Sequence, residues 1–128
     1  MNILDENIDV CQRERLKVLK VHFRQAGVEL GRRGMNDREQ IIPLRHTLRR
    51  PTFFTRDHDF YHPTLRHRGY SLVYLDVART EAAEFIRRFL RHRAFRTQAQ
   101  RRGKVIRVRH RGITYWQVNQ AGEHVLRW

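Results

Sequence analysis

Residues 51–60 read PTFFTRDHDF, so a short apolar run is followed directly by two acids, Asp57 and Asp59. Aromatic and β-branched residues prefer strands, and the run therefore predicts a buried strand that ends just before the acids. The start of the chain repeats this order, because a mostly apolar run at 1–4 precedes Asp5. In an open parallel sheet, ligands bind at the carboxyl ends of the strands. If these two strands are neighbours, three carboxylates are expected in one crevice.

Apolar runs alternate with stretches of helical periodicity over the first part of the chain. Leu16, Leu19 and Phe23, for example, recur at spacings of three and four. Such alternation is typical of βαβ units, and it predicts an α/β fold with a central parallel sheet. The predicted elements are strands at 1–4, 28–30, 51–55 and 71–75 and helices at 9–26 and from Asn36 onward.

The composition changes near residue 79. Residues 1–78 hold 14 basic and 10 acidic side chains, net +4, whereas residues 79–128 hold 13 and 3, net +10. We expect one domain overall, with residues 1–78 as a catalytic core and residues 79–128 as an extension packed on it. The extension is predicted to contain a basic helix capped by Thr80 and a β-hairpin that turns at Gly112. A last strand at 124–128 is weakly marked.

The whole chain has 128 residues and a formal net charge of +14, almost all of it from arginine. Such an excess predicts a polyanionic partner, either a nucleic acid or an acidic protein. The single cysteine, Cys11, excludes an intramolecular disulfide and a cysteine-based zinc site. The N-terminus lacks a signal-peptide pattern, and no apolar run is long enough to span a membrane. We therefore expect a soluble, cytoplasmic protein that does not bind a membrane.

Carboxylates gathered at one point repel one another, and a divalent cation such as Mg²⁺ or Mn²⁺ holds such a group together at neutral pH. Structural roles are the alternative for each acid. Asp5 would begin a turn or cap the first helix, and Asp57 and Asp59 would form an Asx turn. Glu39 follows Asn36 by three residues, which is the spacing of a capping box.

Three segments together resemble the PIN domain superfamily, in particular its small single-domain proteins. These segments are Leu-Asp-Glu-Asn at 4–7, GMNDREQI at 34–41 and TRDHDF at 55–60, and their order and spacing agree over residues 1–78. The resemblance implies a PIN-like α/β/α sandwich and a metal-dependent endoribonuclease, often the toxin of a toxin–antitoxin pair. It also implies metal-binding and catalytic roles for Asp5, Glu39, Asp57 and Asp59, with Thr55 as their supporting hydroxyl.

The expected function is therefore cleavage of RNA phosphodiester bonds with Mg²⁺ or Mn²⁺ as cofactor. Arg107, Arg109 and Arg111 alternate along the predicted hairpin strand and would span roughly 13 Å, enough for a few backbone phosphates. These three arginines and Arg56 are the predicted nucleic-acid contacts. Alternatively, the arginine face pairs with acids of a second subunit in a homodimer or of an acidic antitoxin.

A second function class is a catalytically inactive PIN-like module that binds nucleic acid or protein and keeps the acids as scaffold. The hairpin aromatics bear on RNA binding as well. Tyr115, Trp116 and Trp128 could stack on bases, although aromatics in a hairpin more often belong to a core.

Overall fold

The computed structural model describes residues 1–26 and 50–128. A seven-stranded sheet forms its centre, in the order β2-β1-β3-β4-β5-β6-β7. The first five strands are parallel, and β6 and β7 are antiparallel to their neighbours. This mostly parallel sheet with helices confirms the α/β class. The strands are β1 (Asn2–Leu4), β2 (Arg24–Gln25), β3 (Thr52–Thr55), β4 (Ser71–Leu75), β5 (Lys104–Arg109), β6 (Gly112–Gln117) and β7 (His124–Leu126).

The first helix, α1 (Val10–Val18), is shorter than the predicted helix at 9–26. Lys20 ends it in a left-handed conformation with a φ of 60°. The Lys20 and Val21 amides donate to the carbonyls of Lys17 and Leu16, the pairing of a Schellman motif. Lysine thus takes the place that glycine usually holds, which is why the sequence does not mark this end. The predicted strand at 28–30, the helix from Asn36 and Glu39 lie outside the described residues.

The second half contains α2 (Ala82–Arg91) and the short α3 (Gln98–Arg101). The predicted cap at Thr80 is wrong, because Thr80 lies inside a 3-10 turn, Arg79–Glu81, that precedes α2. Glu81 instead accepts a hydrogen bond from the Ala78 amide. The apolar stripe of α2 is buried as predicted, with Phe85, Ile86 and Phe89 at most 2% exposed.

The β5–β6 hairpin turns one position earlier than predicted. The turn comprises His110 and Arg111, and Gly112 already belongs to β6. A side chain at Gly112 would lie 2.5 Å from the Leu126 carbonyl oxygen of β7. Glycine is therefore required at this position by the close approach of a neighbouring strand, and not by the turn.

Both faces of the sheet are covered. One face packs against α1 and α2, and the other packs against the connection from β3 to β4, which contains 3-10 turns at His58–Phe60 and Pro63–Leu65. Each layer contains a row of side chains that pair across neighbouring strands. The helix-covered layer includes Leu4, Phe54, Val73 and Ile106, and the opposite layer includes Ile3, Phe53, Leu72 and Val105.

The crossovers from β1 to β2 and from β4 to β5 pass over the same face of the sheet, since α1 packs against α2. In the order of the sheet, the step from β1 to β2 goes toward one edge and the step from β4 to β5 goes toward the other edge. The two crossovers therefore have opposite hands, and one of them is left-handed, which is rare for parallel strands. Strands β5, β6 and β7 continue the sheet of β1 to β4, so residues 79–128 share one sheet with residues 1–78.

Within residues 1–26 and 50–128, no helix has the length and apolar character to cross a membrane.

Candidate functional site

The chain changes direction across the sheet at β1. From β1 it moves to β2 on one side, while β3 pairs with β1 on the other side. The carboxyl ends of β1 and β3 therefore flank a topological switch point, the usual position of a ligand crevice in open α/β sheets. Asp5 directly follows β1, and Arg56 and Asp57 directly follow β3. The two strands are neighbours, as the predicted grouping of the acids required.

Asp5 is almost completely buried, with 5% of its surface exposed. Its Oδ2 accepts a hydrogen bond from the Thr55 hydroxyl at 2.7 Å, and its Oδ1 accepts one from the Glu6 amide at 2.7 Å. Burial raises the pKa of Asp5, and the charge of Asp57 raises it further, while the two hydrogen bonds lower it. No cation pairs with this carboxylate among the described residues. Among the residues that the structure describes, Asp5 is thus a buried acid without a compensating positive charge.

Thr55 is fully buried and joins the two strand ends. Its hydroxyl donates to Asp5 and accepts from the Asp57 amide at 3.0 Å and from Asn7 Nδ2 at 3.3 Å. Asn7 Oδ1 in turn accepts from the Arg56 amide at 3.2 Å. All three hydrogen-bonding positions of the hydroxyl are therefore in use. The predicted supporting residue lies where it fixes Asp5 relative to Asp57.

Asp57 and Asp59 lie around the first 3-10 turn after β3. Asp57 caps this turn by accepting from the Asp59 amide at 3.0 Å, which is an Asx arrangement. Asp59 is exposed, and its carboxylate lies 3.1 Å from His58 Nε2. Asp57, His58 and Asp59 offer possible ligand atoms that all lie within 4.8 Å of one another. Asp5 is outside this group, so the structure brings Asp5 and Asp57 together through Thr55 but leaves Asp59 facing solvent.

Another carboxylate lies at the carboxyl end of β4, beside β5. Asp76 directly follows β4 and accepts two hydrogen bonds from Arg107, from Nε at 3.0 Å and from Nη2 at 2.5 Å. The Tyr74 hydroxyl is 3.4 Å from the other oxygen of Asp76. The carboxylate beside the Arg107 guanidinium raises the pKa of Arg107. Asp76 is thus an acid with a fixed cationic partner.

The four predicted nucleic-acid arginines do not form one row. Arg107 is paired with Asp76, and Arg111 is exposed in the turn beyond the strand. Arg109 is partly buried, and its Nε has no hydrogen-bond partner among the described residues. Arg56 lies over the end of β4, where its Nη2 donates to the Val77 carbonyl at 3.5 Å. The predicted arginine face of the strand therefore holds Arg107 and Arg109, whereas Arg111 lies beyond the end of β5 at Arg109.

The aromatic side chains of the hairpin and of the C-terminus are packed against neighbouring residues. Trp128 contacts Phe85 and His92 and stacks beneath the Arg88 guanidinium, with 4.5 Å between the guanidinium carbon and the ring centroid. Tyr115 stacks on His124, and Trp116 packs against the layer opposite the helices. The core reading of these aromatics fits the structure better than base stacking.

Sequence reasoning missed Asn7, Asp76 and Tyr74. Asn7 stood inside the quoted Leu-Asp-Glu-Asn segment, and Asp76 follows a predicted strand in the same way as Asp5 and Asp57. The strand-end pattern could therefore have found Asp76. No comparable signal marked Tyr74, whose position depends on the pairing of β3, β4 and β5.

The described acids carry donor atoms of the kind that a hard divalent cation binds, and of these Asp57, His58 and Asp59 offer ligand atoms within 4.8 Å of one another. Asp5, Asp57 and Asp59 supply carboxylate oxygens, which Mg²⁺ and Mn²⁺ prefer, and His58 adds an imidazole that suits Mn²⁺. Each carboxylate oxygen of Asp5 accepts a single hydrogen bond, so each retains a lone pair for an ion. The buried negative charge of Asp5 is the feature that a cation would compensate.

Comparison of the chain with protein-family models, with curated proteins and with solved structures found no match.

Proposed function

We propose that this protein is a metal-dependent endoribonuclease with a PIN-like α/β/α sandwich. The observation that supports the proposal most is Asp5, a buried carboxylate at the switch point that lies beside Asp57 and has no cationic partner among the described residues. An uncompensated buried charge costs several kcal/mol in general, and proteins keep such charges mainly at sites that bind ions or do chemistry. The resemblance of residues 1–78 to PIN proteins points to the same chemistry.

Asp5, Asp57 and Asp59 would hold Mg²⁺ or Mn²⁺, and the resemblance adds Glu39. A bound divalent cation supplies an activated water and stabilises the charge that develops on the phosphodiester. Thr55 and Asn7 keep the ends of β1 and β3 in register, so that Asp5 and Asp57 act at one point. No side-chain nucleophile is required.

The substrate would be attracted by the positive charge of the chain. Arg56 lies directly beside Asp57, and Arg107, Arg109 and Arg111 lie along β5 and its turn. Neutralisation of backbone phosphates by arginine releases counterions, so RNA binding should weaken steeply as salt rises. Among these residues, Arg56 and Arg107 lie at the carboxyl end of the parallel strands, on the same side as the acids.

The test is cleavage of a mixed RNA pool by purified protein with Mn²⁺ or Mg²⁺, compared with the same reaction in EDTA. Asp5→Asn and Asp57→Asn remove one carboxylate each and should abolish cleavage. Asp9→Asn is the matched control, because Asp9 pairs with Arg79 and is not one of the proposed metal ligands. Cutting that requires both the metal and Asp57 supports the nuclease, and full activity of Asp5→Asn would contradict it.

RNA that is bound but never cut would favour the alternative, a nucleic-acid-binding module in which the acids are scaffold. The exposed position of Asp59, turned toward His58 and away from Asp5, is the observation on that side. Metal-dependent turnover separates the two functions directly. Binding alone does not, since both require the same positive surface.

We also propose an acidic partner, as expected for the toxin of a toxin–antitoxin pair. Residues 79–128 carry a net charge of +10, and Arg87, Arg88 and Arg91 lie on α2. A neighbouring reading frame that encodes a small acidic protein would support this role. Co-purification of that protein in low salt, with loss of cleavage activity, would test it, and sedimentation of the free protein would test for a homodimer.

A further inference from the structure

A row of side chains leads from the acids across the sheet. The registers pair Thr55 with Tyr74, Tyr74 with Arg107, and Arg107 with Thr114. All four side chains lie on the face opposite α1 and α2, since they continue the pattern of Phe53, Leu72 and Val105. Neighbouring strands are roughly 4.8 Å apart, so Tyr74 lies about one strand spacing and Arg107 about two from Thr55. Thr55 is in turn hydrogen-bonded to Asp5.

Arg107 is held in one orientation. Asp76 binds its Nε and Nη2 through a single oxygen, and the guanidinium carbon lies 6.0 Å from the centre of the Tyr74 ring. Nη1 makes no hydrogen bond to the residues that the structure describes. The Arg107 side chain is 36% exposed, so part of it is open to solvent.

Tyr74 is positioned from both sides. Its hydroxyl is 3.4 Å from Asp76, and its ring lies 6.4 Å from the ring of Tyr61. Tyr61 is itself held through its hydroxyl, which donates to Glu123 at 2.6 Å and lies 2.9 Å from the Thr114 hydroxyl. Both rings are partly exposed beside a guanidinium. Such a combination of ring and guanidinium is suited to stack with a nucleobase and to contact its phosphate.

We propose that Tyr74 and Arg107, with Arg56, form a nucleotide subsite for single-stranded RNA next to the acids. The base packs on Tyr74 and the Arg107 guanidinium, and the adjoining phosphate is bound by Arg107 and Arg56. Asp76 is a positioning residue that keeps Arg107 beside Tyr74. The identity of the ligand rests on the proposed ribonuclease function. The ligand of the subsite is the unpaired nucleotide beside the scissile phosphate.

The competing explanation is that the Asp76–Arg107 pair only joins β4 to β5. A purely structural pair would leave RNA affinity dependent on total charge alone. The proposed subsite instead predicts that RNA affinity depends on the Tyr74 ring, which carries no charge. Ring removal is therefore the most informative change.

The experiment measures binding of a short, labelled single-stranded RNA by fluorescence anisotropy in EDTA, where metal-dependent cleavage cannot occur. Tyr74→Leu should weaken binding roughly 5- to 100-fold, whereas Tyr74→Phe, which keeps the ring, should bind like the wild type. Arg107→Gln should lower the slope of log affinity against log salt by about 0.7. Arg91→Gln is the matched control, because Arg91 is an exposed arginine on α2, which packs on the other face of the sheet.

Asp76→Asn separates positioning from charge. It should weaken binding while the salt slope stays unchanged, because Arg107 is still present but no longer held. Tighter binding by Asp76→Asn would contradict the positioning role. If Tyr74→Leu does not fold, photocrosslinking of wild-type protein to thiouridine-containing RNA gives the answer. A crosslink to Tyr74 or Tyr61 supports the subsite, and crosslinks confined to other regions overturn it.

The two proposals fail differently. If RNA is never cleaved but EDTA binding depends on the Tyr74 ring, the subsite stands and the nuclease does not. If RNA is cleaved and Tyr74→Leu binds and cleaves like wild type, the nuclease stands and the subsite is wrong.

Discussion

The carboxyl ends of β1 and β4 each present an aspartate directly after a parallel strand, and the two aspartates have opposite surroundings. Asp5 is 5% exposed, and its partners within residues 1–26 and 50–128 are a hydroxyl and an amide. Asp76 is partly exposed and is paired with the guanidinium of Arg107. In the described part of the chain, equivalent strand ends therefore hold one acid without a cationic partner and one acid with such a partner.

The difference indicates what each acid is suited to do. Asp76 shows how this arginine-rich chain pairs an acid at a strand end with a cation. Asp5 lies among neutral donors and near a second acid, Asp57, whose charge raises its pKa. A chain with 27 basic side chains had ample means to supply a cation at Asp5, and none pairs with it in the described part of the chain. The metal ion that we propose would supply this cation from outside the chain.

The largest expected effect is stabilisation of the wild type by Mn²⁺ and its loss in Asp5→Asn. A ligand present at about 100 times its Kd stabilises the folded state by about 2.7 kcal/mol. Asp76→Asn should keep the full stabilisation, because Asp76 is engaged with Arg107 and is not expected to bind the ion. Thermal unfolding with Mn²⁺ and with EDTA measures the shift. Equal shifts in wild type and Asp5→Asn would remove the metal proposal at this position.

The next effect in size concerns the hydroxyl that joins the two strand ends. Thr55→Val keeps the shape of the side chain but leaves Asp5 without its 2.7 Å donor and leaves two further donors without an acceptor. Loss of partners by buried polar groups costs about 1–3 kcal/mol, more when a charge is involved, so we expect about 3 kcal/mol. Urea unfolding in EDTA gives the value.

Thr114→Val is the matched control for Thr55→Val. Thr114 is buried on the same face of the sheet, but its partner Tyr61 also donates to Glu123. The Tyr61 hydroxyl therefore keeps a partner when Thr114 is changed, and we expect a cost of about 1 kcal/mol. A cost for Thr55→Val no greater than this would mean that Asp5 does not depend on the hydroxyl.

Sequence patterns predicted the α/β class of the fold. The strands at Thr52–Thr55 and Ser71–Leu75 lie where their apolar runs predicted them, because these runs are local features of composition. Asp5 and Asp57 follow neighbouring strands because β1 pairs with β3, and that long-range pairing was a condition of the predicted crevice.

What the sequence did not predict depends on long-range register. Arg107 was expected to face a polyanion, but the parallel pairing of β4 with β5 places it beside Asp76, 31 positions away. The end of α1 at Val18 was not predicted, because the left-handed residue that follows it is Lys20 and lysine rarely adopts this conformation. The turn at His110 and Arg111 was not predicted because glycine is the commoner turn residue, whereas Gly112 is required by contact with β7.

A smaller effect, that of a single proton, is expected in the pH dependence of stability. Burial raises the pKa of Asp5 in the folded protein above its usual value of 3.8, so the folded state binds this proton more readily than the unfolded chain. The contribution of Asp5 to the free energy of unfolding of the wild type therefore decreases as pH rises from 3.8 through the raised pKa. Asp5→Asn cannot ionise, and its stability relative to wild type should grow over this window.

Urea unfolding of both proteins in EDTA, from about pH 4 to pH 7, measures this difference. Asp9→Asn serves as the control, because Asp9 lies beside Arg79 near the surface. A constant difference between Asp5→Asn and wild type across the range would show that Asp5 is not destabilised by its burial, and the contrast with Asp76 would then weaken.

The smallest effect is expected from the Asp76–Arg107 pair itself. Both side chains are 36% exposed, and ion pairs accessible to water contribute at most about 1 kcal/mol. A double-mutant cycle with Asp76→Asn and Arg107→Gln should therefore give a coupling of about 0.5–1 kcal/mol that decreases in high salt. A larger coupling that persists in salt would make the pair a structural link between β4 and β5. If the coupling free energy is small and screened by salt, the Asp76–Arg107 pair contributes little to folding. The fixed orientation of Arg107 would then serve the proposed binding of a ligand by Arg107 and Tyr74.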